Sequence, residues 1–113
     1  MSLVQSPSRP DFHVELQIAI DETISNLLGE RILESLYEHL TKEHDLPPDK
    51  LPYQLNTFIE VLDKVFGAAG SRTIGWAIAR DFYSKIGLRF VHNESFRLQD
   101  YLEQAKKTIS IHD

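Results

Sequence analysis

The side chains best suited to metal or acid/base chemistry in this chain are five histidines, His13, His39, His44, His92 and His112, and a row of carboxylates at Glu30, Glu34 and Glu38. Their spacing supports neither chemistry. His39 and His44 stand five apart with Glu43 between them, one residue too long for HxxEH and wrong for HExxH, so they are expected not to share a helical face as a ligand pair must. The adjacent Asp21-Glu22 and the Glu30, Glu34, Glu38 row have the pattern of a solvated helix surface. The serines lack a nucleophile elbow, and there is no cysteine to supply a thiolate or a disulfide. A phosphate loop, GxxxxGK[ST], is absent. Gly67-Ala68-Ala69-Gly70 spells the GxxG clamp of KH domains, but that fold needs a sheet, and the same letters suit a helix stop at a tight crossing. These patterns predict no enzyme, no metal site and no cofactor.

Contact chemistry is better represented. Trp76 and Arg80 are four apart, so on a helix the guanidinium would reach the indole, either stacking on it or covering it with its aliphatic stem. Arg72 and Tyr83 extend the same patch, and Trp, Tyr and Arg are the side chains that dominate protein interfaces. Arg72, Trp76, Arg80 and Tyr83 are therefore the interaction candidates. Charge is distributed unevenly around them: residues 11–49 carry ten carboxylates against two bases, a net of −8, and residues 72–97 carry five bases against two acids, a net of +3. The basic excess also suits a DNA-binding unit over 57–87, with Arg72, Thr73, Trp76 and Arg80 leading a reading helix. A chain of formal net charge −5 must overcome its own field to dock on phosphate, which makes nucleic acid the less favoured partner. A small-molecule sensor, with a ligand between helices near Gly75, is a second alternative.

The elements that must position these residues are helical. At 113 residues and 42% hydrophobic, the chain suits one domain with its own core. Residues 1–10 are polar, with Pro7 and Pro10, and are expected as a flexible tail, leaving 11–113 as a single helical domain. Leu16, Ile20, Ile24 and Leu28 recur every fourth residue from Phe12 onward, with Val14 and Ile18 on a flank. That stripe is broader than one neighbour requires, so Val14, Leu16, Ile18, Ile20 and Ile24 are the candidates for a homodimer helix. Gly29 marks a break before a second helix ending near His44. Asp45 to Pro52, DLPPDKLP, is expected as a loop. A third helix capped by Asn56 or Thr57 should stop at Gly67, and a fourth should run from Ser71 to Lys85 or Ile86, with Gly87 and Leu88 closing it. The fourth is apolar on most sides, which places it at the centre of the fold. Leu98, Tyr101, Leu102 and Ala105 mark the inner side of a last helix. The predicted architecture is all-α: a compact bundle of four to five helices around the central helix, about 71–86. No apolar run approaches the length of a membrane span, and MSLVQSPSRP lacks the core of a signal peptide, so a cytoplasmic protein without membrane contact is expected.

The run FIEVLDKVFGAAGSRTIGWAIARDFYSKIGLRF, preceded by LLGERILESLYEHLTKEHDLPPDKLP and followed by LQDYLEQAKK, resembles the fifth class of the Nitrosopumilus output domains, small archaeal modules of signal-transduction proteins. The parallels are LLGE at Leu27–Glu30, LYEHL at Leu36–Leu40, FIEVLDKVFG at Phe58–Gly67, YSKIGL at Tyr83–Leu88 and DYLEQA at Asp100–Ala105, spanning about residues 24–107. The resemblance implies a regulatory or output domain, fused elsewhere to receiver or sensor domains or standing alone, and it brings no catalytic residues. The expected function is a non-enzymatic signalling module that acts through protein contacts as a homodimer, by helix repacking at an interface.

Overall fold

Asp11 starts the first helix: its carboxylate accepts hydrogen bonds from the amides of His13 and Val14, at 3.0 and 3.2 Å. Two of the donors that every helix leaves open at its N-terminus are thereby satisfied. The computed structural model describes residues 11–111; residues 1–10, expected as a flexible tail, lie outside the described residues, as does His112. Helix α1 (Phe12–Leu28) buries Leu16, Ala19, Ile20, Thr23 and Ile24. Gly29 then turns the chain in one residue, and α2 (Glu30–His44) begins on the next, burying Leu36 and Leu40. Asp45, in the left-handed region, ends α2, and the amides of Asp45 and Leu46 both donate to the Leu40 carbonyl.

The proline-rich segment is more ordered than a loop. Pro48–Tyr53 forms a 3-10 helix whose Leu51 and Pro52 are buried, and which lies against α1. Pro48 is tolerated at the start because the first residues of any helix have no intrahelical use for their amides, whereas Pro52 lies inside the helix. The Lys50 amide still reaches the Pro47 carbonyl at 2.9 Å.

Helix α3 (Leu55–Lys85) contains both the third and the fourth predicted helices. It begins at Leu55, ahead of the predicted Asn56 or Thr57 cap, and Gln54 makes no side-chain capping bond. The expected turn through Gly67–Gly70 shrinks to one residue: Gly67 alone is non-helical, at φ 78° and ψ 166°. Its N-terminal arm, residues 55–66, buries Phe58, Ile59, Val61 and Leu62. Its C-terminal arm, residues 68–85, buries Ile74, Gly75, Ile78, Ala79, Phe82 and Tyr83. The helix packs on both α1 and α4 (Leu98–Ile111), so it is central, as the apolar pattern predicts. One side of the C-terminal arm nevertheless faces outward, with Arg72, Thr73, Arg80 and Ser84 exposed.

At the end of α3 the amides of Leu88 and Gly87 bond to the carbonyls of Tyr83 and Ser84, the Schellman pattern that the Gly-Leu pair predicts. No strand forms among the described residues; in the connection to α4, the Phe90 ring lies 5.0 Å from that of Tyr101 and 5.5 Å from that of Tyr83. Helix α4 opens with the Arg97 amide bonded to the Asp100 carboxylate at 2.8 Å. It buries Leu98, Tyr101, Leu102 and Ala105, the four positions that the periodicity selects.

Gly75 sits where α4 crosses α3. A Cβ on it would lie 3.5 Å from the Leu98 Cβ and 3.8 Å from its amide nitrogen, which is ordinary contact. Gly75→Ala is therefore expected to leave the thermal midpoint unchanged or raise stability by up to about 1 kcal/mol through helix propensity. Gly75→Leu should lower it, because the space beyond the Cβ is filled by the Leu98 backbone. Paired thermal melts decide both.

Candidate functional site

The outer side of the C-terminal arm of α3 presents three of the four predicted contact residues. Arg72 and Arg80 are exposed, and among the described residues no carboxylate lies within 4.0 Å of either. Trp76, between them in sequence, is half-buried: its Nε1–H donates to the Phe96 carbonyl at 2.8 Å, and the ring meets His92 edge-on at 4.7 Å. The indole thus braces the connection before α4. Arg80 makes no cation–ring contact with it; among the described residues the one such contact is Lys106 over Phe12, 5.6 Å from the ring centre.

Tyr83 does not belong to this surface. It is 2% exposed, and its hydroxyl donates to the Tyr101 carbonyl at 2.6 Å. Burial pushes its phenol above the ordinary range, with Tyr101 adding to the effect. It lies seven residues beyond Trp76, close to two helical turns and so on nearly the same face, where Phe90 and Tyr101 cover it.

The dimer candidates on α1 divide in the same way. Leu16, Ile20 and Ile24 are fully buried in the chain's own core, while Val14 is 52% exposed and Ile18 is half-buried. The four-residue stripe serves internal packing. The flanking row remains open, next to Tyr53, whose ring stacks on His13 at 4.2 Å.

The residues with chemical potential are dispersed. His39 and His44 do approach, edge to face at 5.4 Å, closer than their five-residue spacing suggests. Among the described residues no group of three His, Cys, Asp or Glu side chains is placed to hold a metal ion. Glu38 is paired with Lys42 at 2.9 Å, and the Tyr37 hydroxyl donates to Asp21. Burial first, and the Asp21 carboxylate second, hold the Tyr37 phenol far above its ordinary value. Gly75, expected to border a ligand cavity, instead faces Leu98.

One polar cluster had no counterpart in the sequence patterns. Arg97, just before α4, reaches the Asp63 carboxylate at 2.9 Å and the Ser71 hydroxyl at 3.2 Å, and so ties both arms of α3 to α4 across the break at Gly67. Three residues so far apart in sequence leave no local spacing to detect. The Ser71 hydroxyl, and then the Arg97 guanidinium, hold the Asp63 carboxyl below its ordinary 3.8. The fold favours the charged form, so the stabilisation is complete above 3.8 and fades as pH falls through the lower folded value. Because the Asp63 side chain is 39% exposed, solvent screening limits the pair to less than about 1 kcal/mol. Asp63→Asn should melt below the wild-type chain at neutral pH, and the gap should close as pH falls below 3.8 through the lower folded value.

Comparison with known proteins gives no match: no family model, curated protein or solved structure matches the chain. No helix among the described residues is long and apolar enough to cross a membrane.

Proposed function

We propose that this chain is a non-enzymatic signalling or regulatory module, of the archaeal output-domain kind that its sequence resembles, working in the cytoplasm through protein contacts as a homodimer. The observation that carries this is the outer side of α3, where Arg72 and Arg80 stand exposed, with no carboxylate among the described residues within 4.0 Å, beside a Trp76 that is already braced. A rigid aromatic flanked by exposed arginines is the composition of an interface centre. Light scattering or equilibrium sedimentation tests the homodimer, with twice the 13.0 kDa chain mass expected. A monomer at high protein concentration would count decisively against it.

The same two arginines favour a second reading, a DNA-binding output domain. Against it stands the joint at Gly67, a single non-helical residue where a helix-turn-helix uses a turn of three or four. Duplex binding at low salt would support it, with Arg72→Ala lowering the salt slope by about one. Absence of binding at low salt would remove it.

A further inference from the structure

Two surface grooves meet at the C-terminal turn of α1, and the second is the more acidic. Asn26 lines both: one runs along α3 past Arg80, the other along α2 past Glu30. Next to Asn26, and lining the first groove, stands Leu27, 52% exposed. Lys85 pairs with a carboxylate in each groove, lying 3.6 Å from Asp81 in the first and 2.6 Å from Glu22 in the second, while Asp21 in the second accepts from the Tyr37 hydroxyl. That leaves Arg80 as the outermost positive group on one flank, and Glu30, with Asp21 deeper in, as the negative groups on the other. Among the described residues neither Arg80 nor Glu30 has an opposite charge within 4.0 Å.

A surface with a positive flank, an apolar centre and a negative flank is complementary to itself after a half-turn about the centre, which is the requirement of an isologous dimer. Given the homodimer proposed above, we infer that the second copy docks at this corner. The two-fold axis passes by Leu27, which packs on Leu27 of the partner subunit, while Arg80 meets Glu30 of the partner subunit and the reciprocal pair closes the other flank. The open row on α1 differs: Val14 and Ile18 lie beside His13, Gln17, Asp49 and Tyr53, and no lysine or arginine is among these lining residues.

Charge reversal tests the pairing. Arg80→Glu and Glu30→Arg each set like charges opposite one another and are expected to raise the dimer dissociation constant at least about tenfold, and the double variant is expected to restore it to within about threefold of wild type. Leu27→Asp should give a monomer. All three positions are exposed, so thermal melts by circular dichroism should show the variants folded; any variant that fails to fold is replaced by Arg80→Ala or Glu30→Ala, for which a smaller weakening in the same direction is expected. Retention of the dimer by Leu27→Asp or by either reversal, or failure of the double variant to recover, would overturn the assignment. If Val14→Asp alone splits the dimer, the homodimer stands and this interface falls; a monomeric wild-type chain removes both.

Discussion

Phe82→Ala is expected to cost about 3–5 kcal/mol, enough to lower the thermal midpoint by on the order of 15 °C. Phe82 is fully buried, and its ring meets Phe12 edge-on at 4.8 Å, which ties the start of α1 to the end of α3. The truncation removes the transfer energy of the ring and leaves a cavity that helices on several sides cannot close without moving. Phe12 is only half-buried, so some collapse from that side is available, and the lower end of the range is the better expectation. Urea unfolding gives the number, provided the slope stays constant while the midpoint falls. A loss under about 1 kcal/mol would mean that Phe82 is not the joint between α1 and α3 described above.

Gly67→Ala is expected to destabilise the chain by about 1–3 kcal/mol for a different reason. A Cβ added there meets nothing within 4 Å, so the cost has no steric packing component. It comes from the backbone: φ 78° with ψ 166° lies in a region that glycine occupies and other residues essentially do not. An alanine would favour continuing α3 as one straight rod, which would pull the N-terminal arm off the core. Either the bend survives under strain or the packing is lost, and stability falls in both cases. Alanine at 67 and alanine at 75 should thus move the melting temperature in opposite directions or differ clearly in size, although both replace a glycine within α3. Equal effects would refute the backbone explanation.

The contrast between these two glycines shows what the sequence discloses. Helical period, apolar stripes and the closing Gly-Leu pair were enough to place α1, α2, both arms of α3 and α4, because each signal is local and repeats along one element. The 3-10 helix at Pro48–Tyr53 escaped because proline excludes a regular helix more firmly than it excludes a short 3-10 turn. Surface assignments fared unevenly. Arg72 and Arg80 lie outside, where their charge puts them. Tyr83 went inside because Tyr101, eighteen residues away, offers a carbonyl to its hydroxyl, and a tyrosine so satisfied can be buried whole. Leu16, Ile20 and Ile24 were as legible as any core, but the pattern could not say whether the covering helix came from the same chain. The Arg97–Asp63–Ser71 cluster and the Asn26–Leu27 corner depend on which helices meet, and no window of the sequence contains that.

The single-residue joints at Gly29 and Gly67 also constrain how this chain can change length. With no slack between consecutive helices, one extra residue inside either flanking turn would rotate everything downstream by roughly 100° about the helix axis and aim its apolar stripe at solvent. The irregular span between Gly87 and Arg97 has no such phase to preserve. Lineages of this protein should accordingly tolerate insertions in that span while keeping the spacing around both glycines invariant.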